Sequence, residues 1–268
     1  MDATEDPDSE AIAERLRRAR EAYDSPAILQ TMVELNIFGW MLWHTRFEVE
    51  HPTLGLVDDN ELMIASLEVN SASHVLDFSC GVGGFSQQLA RKLGCRAYGL
   101  NISKEQIAIA RQHDRFGVSY DVYDGYTFPY ANDTFDGVSS QETFCHIPNK
   151  HHILAEVFRV LKPGGKLSVQ DWLAGTDDPE RRRTYLEPVE RAFHITLITR
   201  ERFAKLMAKV GFVDIEHTDV RSLRGADMSP FYQFDPSKAR ETPEDALGAA
   251  YHEGSFTVGL LAGRKPAP

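Results

Sequence analysis

The chain has 268 residues, with 29 basic against 40 acidic side chains and a net charge of −11. That length holds one large domain with a decorated rim, and the charge has the wrong sign for a surface that neutralises a phosphate backbone, which argues against nucleic acid as a partner. The opening MDATEDPDSE has no apolar run and no stretch reaches the roughly 18 apolar residues of a membrane span, so a soluble, cytoplasmic chain is expected.

Residues 1–10 are acidic, contain proline and lack aromatics, which predicts a disordered tail. Residues 11–60 read as a helical cap: 11–22 is rich in helix formers, and 28–43 is strongly apolar, with Phe38, Trp40 and Trp43. An apolar stretch of this kind needs a surface to cover, so the segment is expected to close over a site as a lid. From residue 61 onward strand and helix patterns alternate, as in a parallel sheet wound with crossover helices. Strands are predicted at 74–78, 96–102, 118–123, 135–141 and 166–172, with helices at 84–93, 104–112 and 151–161. Lys162-Pro163-Gly164-Gly165 reads as a helix stop and tight turn. A charged, helical insertion at about 172–199 comes next, then a helix at 200–210 and strands at 213–220 and 257–263. Insertions on an α/β sheet usually build the substrate side. The Arg181-Arg182-Arg183 run sits beside Asp177, Asp178 and Glu180 and reads as a solvated helix start. Cys80, Cys95 and Cys145 have neither CxxC spacing nor histidine neighbours, which argues against a disulfide framework and against a metal site.

Between the first strand and its helix lies a loop of small residues, Ser79-Cys80-Gly81-Val82-Gly83-Gly84, that lets backbone amides and a helix N-terminus approach a ligand. A dinucleotide fingerprint needs G-x-G-x-x-G, but counting from Gly81 the last position is Ser86. The run Leu76-Asp77-Phe78-Ser79-Cys80-Gly81-Val82-Gly83 instead resembles the L-D-x-G-C-G-x-G motif of class I S-adenosylmethionine-dependent methyltransferases, with Ser79 in place of the first glycine. Three further stretches resemble that family in the same order. Asn101 stands where an acidic residue usually ends the second strand and holds the ribose; Tyr123-Asp124-Gly125 with Phe128-Pro129 resembles A-D-A-x-x-L-P-F; and residues 156–165 resemble E-x-x-R-V-L-K-P-G-G.

The resemblance implies a Rossmann-like α/β fold with a seven-stranded, mostly parallel sheet whose last strand runs antiparallel, and S-adenosyl-L-methionine as cofactor. It places Asp77, Ser79, Gly81, Gly83, Asn101, Ile102, Gln106, Asp124, Gly125, Gln141 and His146 at the cofactor. Ser103 is the better helix cap before Lys104, which leaves Asn101 for the ribose. The segment Gln141–Pro148 resembles both glycine-betaine-forming N-methyltransferases and rebeccamycin-type sugar O-methyltransferases; the latter also have an aspartate after the fifth strand, matched by Asp171. His146 is the natural general base for a hydroxyl acceptor, with Asp171 orienting its imidazole; lining the pocket without acting as a base is the alternative. Gln141 and Glu142 are candidates for contact with the methionine end or a substrate amine. Phe38, Trp40, Trp43, Phe193, Tyr232 and Phe234 read as core, or as walls of an apolar substrate pocket. The expected function is methyl transfer to oxygen or nitrogen of a small, specialised metabolite. Methylation of an isoprenoid alkene carbon and a non-methylating fold relative are the alternatives; a homo-oligomer is left open.

Overall fold

His74–Phe78 forms β3, and Val75, Leu76 and Phe78 within it are wholly buried, as expected for a central strand covered by helices on both faces. The computed structural model describes residues 9–26, 29–30, 49–51, 55–57, 59–219 and 242–268. The apolar stretch with Phe38, Trp40 and Trp43, residues 1–8 of the tail expected at 1–10, and Tyr232 and Phe234 lie outside the described residues, whereas Ser9 and Glu10 of that tail open a helix.

Each remaining strand and helix of the core arises from its apolar pattern. Beyond β3 come α3 (Gly84–Leu93), β4 (Arg96–Asn101), α4 (Lys104–His113), β5 (Ser119–Val122), β6 (Phe135–Gln141), α5 (Lys150–Val160) and β7 (Leu161–Ala174). The insertion carries α6 (Glu187–Phe193), and after it come α7 (Arg200–Val210), β8 (Val213–Asp219), α8 (Pro243–Glu253) and β9 (Phe256–Arg264). The seven strands lie in the order β5-β4-β3-β6-β7-β9-β8; β9 runs antiparallel to both neighbours and every other pairing is parallel. Strand order reverses between β3 and β6, so the loops at their carboxyl ends flank the crevice where ligands of such sheets bind.

Two differences from the sequence pattern affect the site. First, β7 is longer at both ends than 166–172: pairing with β9 runs from Lys166↔Arg264 to Ala174↔Phe256, and the Lys162–Gly165 turn keeps hydrogen bonds to Lys265. Asp171 therefore lies inside the strand, opposite Gly259, and not beyond its end. Second, α8 was not foreseen. Its start carries a clear signal: Thr242 accepts from Asp245 N while Asp245 accepts from Thr242 N, with Pro243 in the first turn.

The cap is not wholly helical. After α1 (Ser9–Tyr23) comes a hairpin of β1 (Val49–His51) and β2 (Gly55–Val57), then α2 (Asp59–Leu67). β-Branched Val49 and Val57 and a Pro52…Gly55 turn signal favour strands there over helix. In the insertion, a short helix at Pro179–Arg181 runs through a π-helical turn, Arg182–Leu186, into α6 (Glu187–Phe193). Two of the three arginines are structural ties: Arg181 Nε donates to Glu253 Oε1 at 2.8 Å, and Arg182 Nη2 to Glu190 Oε1 at 3.0 Å and to Leu197 O at 3.1 Å.

Candidate active site

The loop after β3 is shaped by backbone conformation. Ser79, Gly81 and Gly83 have φ of 62°, 56° and 87°, so Ser79 adopts the left-handed geometry that the usual glycine would take freely, at a cost of about 1 kcal/mol. Ser79 N and Cys80 N donate to Leu100 O at 2.7 and 3.1 Å, which anchors the turn to β4. Gly83 caps α3 with no side-chain hydrogen bond, leaving a helix N-terminus with its positive end toward the turn. Asp77 is buried and accepts from Ser86 Oγ at 2.6 Å, tying strand to helix.

At the end of β4, Asn101 is buried, its Nδ2 donating to Gln106 Oε1 at 2.7 Å while its Oδ1 accepts from Ile102 N at 2.8 Å. Ser103 Oγ caps α4 by accepting from Gln106 N at 3.0 Å, so Asn101 is not the helix cap. After β5, Asp124 Oδ1 accepts from Tyr126 N and Thr127 N, both at 2.8 Å, and these bonds hold its carboxyl below the usual carboxylate range. A Cβ at Gly125 would stand 2.8 Å from Leu16 Cδ1 and 3.3 Å from Ile102 Cδ1. Ile102, Gly125 and Leu16 thus meet, and α1 covers this corner. Its neighbours extend the cover: Ser103 Oγ donates to Asp24 Oδ1, and Arg15 Nη1 donates to Thr196 Oγ1 at 2.8 Å, so α1 with the turn that follows it bridges from the start of α4 to the insertion.

The loop after β6 carries the titratable groups. Glu142 has φ 44°, a second side-chain-bearing residue in left-handed geometry at a strand end, and its N–H donates to Gln170 O at 2.8 Å. Strain of this kind persists only where its surroundings over-determine it. The neighbouring Gln141 is turned toward α2, its Nε2 donating to Asn60 Oδ1 at 2.6 Å. His146 is half-buried; loss of solvent pushes its imidazole down to about 4, against the pull of the Glu142 carboxylate. Burial likewise lowers Lys150, whose Nζ donates to Ile147 O at 2.8 Å, to about 8. The expected pairing of Asp171 with the His146 ring is not what its hydrogen bonds record: the buried carboxylate accepts from the backbone N–H groups of Thr143, Phe144, Cys145 and Trp172.

Aromatic contacts hold these loops on the sheet. Phe78 packs against Phe128 at 4.9 Å, Tyr123 at 5.7 Å and Phe144 at 6.1 Å between ring centroids, joining the loops after β5 and β6 to β3; each such pair contributes about 0.5–1.5 kcal/mol beyond burial. On the other side Trp172 meets Phe193 and Phe256 edge-on at 5.5 and 5.3 Å, making an aromatic wall beneath the insertion. The residues that spacing alone did not single out are Lys150, Leu16, Arg15 and Asn60. None sits in a recognisable motif, and each reaches the site only through tertiary packing. Among the described residues no group of acidic, histidine and cysteine side chains could hold a metal ion, and no helix is long and apolar enough to cross a membrane.

A family model described as a methyltransferase domain matches residues 56–217, more than half of the chain. Methyltransferase GfsG of Streptomyces halstedii is 38% identical over 116 residues, covering 41% of this chain and 42% of its own length. The sterol 24-C-methyltransferase of Eremothecium gossypii is 30% identical over 227 residues, covering 79% of this chain and 61% of its own. Relatives named as O- and N-methyltransferases match as well. The chain thus spans about two fifths to three fifths of the length of these two curated relatives. Among solved structures, a geranyl diphosphate methyltransferase in complex with GPP and sinefungin shares the fold, with a TM-score of 0.75 at 16% identity over 94% of this chain and 99% of that one. Sheet order, the turn after β3 and the matched family model agree: this chain belongs to the methyltransferase-domain family, with the class I fold.

Proposed function

We propose that this chain transfers a methyl group from S-adenosylmethionine to oxygen or nitrogen of a small, specialised metabolite, a hydroxyl being the acceptor the site suits best. His146 carries this reading. Burial lowers its imidazole to about 4, so the ring is neutral throughout the physiological range and, though a weak base, can take the proton that an attacking hydroxyl gives up as its oxygen becomes an acidic oxonium. S-Adenosylmethionine, when bound, supplies an electrophilic methyl on a sulfonium. The chain's own residues fit it: the left-handed turn at Ser79 and Gly81 leads into the α3 N-terminus, whose backbone N–H groups and positive end suit the methionine carboxylate. Asn101 with Gln106 suits the ribose, and Ile102, Asp124 and Gly125 suit the adenine under Leu16. A carboxamide at Asn101 offers neutral hydrogen bonds of about 1 kcal/mol each and lacks the charge-assisted bonds of a carboxylate.

Positioning supplies much of the rate in an in-line displacement, and the α1 bridge from α4 to Thr196 suits a cover that excludes water. Trp172 and Phe193 favour an apolar or aromatic acceptor. Similarity to a sterol C-methyltransferase favours a second reading, methylation of an alkene carbon. Formation of S-adenosylhomocysteine with hydroxyl, amine and alkene acceptors separates them. Turnover on hydroxyls that needs His146 supports the first reading, turnover on alkenes alone supports the second, and tight cofactor binding without turnover on any class contradicts both.

A further inference from the structure

Asp171 is 1% exposed, and four backbone N–H groups converge on its carboxylate: Thr143 at 3.0 Å and Phe144 at 2.6 Å on Oδ2, Cys145 at 3.3 Å and Trp172 at 2.8 Å on Oδ1. Three of these donors are consecutive residues of the loop after β6, an array of amides that suits an anion. The same residues shape the adjoining turn. His146 N donates to Thr143 O at 2.9 Å and Ile147 N to Phe144 O at 3.1 Å, so the turn that presents the imidazole is built on the Thr143–Phe144 and Phe144–Cys145 peptides, whose N–H groups the two carboxylate oxygens hold. On the other side the loop is entered through the left-handed Glu142, a conformation that relaxes unless its surroundings hold it.

We propose that Asp171 is a positioning residue for the reaction at His146: its carboxylate gathers the amides of Thr143, Phe144 and Cys145 and so fixes the turn that carries the imidazole. The inference rests on the reading of His146 as the working base. The role requires the ionised form, because a protonated oxygen would point its own O–H at the amide donors. Burial raises this carboxyl to about 6, opposed by the bonds it accepts and by Lys150. The groups facing it are the Cys145 thiol in the loop and the Lys150 ammonium at the start of α5; Gly259, opposite on β9, carries no charge. Arg15 and Glu190 act at one remove through Lys150, and Glu142 through Cys145. The clamp is thus half-formed near pH 6, complete well above it and lost as pH falls below it, whereas His146, near 4, stays mostly neutral through that midpoint.

The test tracks backbone amide proton shifts in the whole protein by NMR, together with kcat, between about pH 4 and about 8. In wild type the amides of Thr143, Phe144, Cys145 and Trp172 shift together with one midpoint near 6, and kcat falls with the same midpoint. Asp171→Asn sets an NH2 against amide donors; its four amides do not titrate, and its kcat is lower on the order of 10²-fold without the acid limb, while KM for S-adenosylmethionine holds. A merely structural residue would lower stability without moving that limb. Wild-type amides that do not titrate, or an Asp171→Asn protein with wild-type kcat, overturn the proposal. The wild-type NMR titration needs neither turnover nor a folded variant, so failure of the clamp is distinguishable from failure of the methyl-transfer reading.

Discussion

Replacing Gly83 tests why the turn after β3 is built as it is. A Cβ at this position would lie 2.3 Å from Tyr120 Oη, 2.8 Å from its Cζ and 3.0 Å from its Cε1, and the residue has φ +87°. Tyr120 is 5% exposed and its hydroxyl donates to Gly83 O at 3.4 Å, so the ring has little room to retreat. The glycine pattern alone suggests a gap kept open for the cofactor; the structure fills the space next to Gly83 with Tyr120. Left-handed strain costs about 1–2 kcal/mol and overpacking about 1–3 kcal/mol, so Gly83→Ala should lose roughly 2–5 kcal/mol of stability. At roughly 2–4 °C per kcal/mol for a domain of this size, the melting temperature falls on the order of 10 °C. Adding Tyr120→Phe removes the nearest atom and should restore part of that loss, leaving the backbone strain. Thermal unfolding by circular dichroism, with calorimetric titration of S-adenosylmethionine into each folded variant, reads both terms. A Gly83→Ala protein as stable as wild type that no longer binds S-adenosylmethionine would refute the packing argument and return the glycine to cofactor access.

His146→Ala should lower kcat on the order of 10²-fold with a hydroxyl acceptor while cofactor affinity holds; an amine acceptor that arrives neutral would instead show a change mainly in KM. Because burial lowers this imidazole to about 4, its own contribution to the rate rises with pH only through that range and is flat at neutrality; a His146-dependent rise near pH 6.5 in the Asp171→Asn background would contradict the burial argument. Asn101→Ala removes the bond to Gln106 Oε1 and should weaken S-adenosylmethionine binding by about 1 kcal/mol in a calorimetric titration, wild-type affinity assigning the residue to structure alone. Amide hydrogen exchange across α1 should slow when S-adenosylmethionine binds, since Leu16 lies against Gly125 and Ile102; unchanged exchange would count against closure.

The core of the fold was legible because strands covered on both faces read as short apolar runs: β3, α3, β6 and α7 have the predicted limits. The turn after β3 was legible because small residues there have a local cause in backbone geometry. The hairpin β1–β2 and helix α8 were not foreseen, although the Thr242-Pro243-Glu244-Asp245 start of α8 is a local signal. Asp171 shows where local reasoning ends. Its residue type suggested a partner for His146, but pairing with β9 keeps it inside β7, where the donors within reach are backbone amides. Lys150 and Leu16 became visible only once α5 and α1 were packed against the loops, because nothing at their own positions distinguishes them from an ordinary helix start and an ordinary amphipathic face.

The central claim is that the crevice flanked by the loops after β3 and β6 takes S-adenosylmethionine and not a dinucleotide, although both use a glycine turn at a helix N-terminus. Calorimetric titration of the full chain with S-adenosylmethionine, S-adenosylhomocysteine and a reduced nicotinamide dinucleotide measures this directly. One site for each of the two sulfur ligands, competing with each other, and no heat from the dinucleotide is the predicted result. Binding of the dinucleotide, or no binding of either sulfur ligand, would contradict the account.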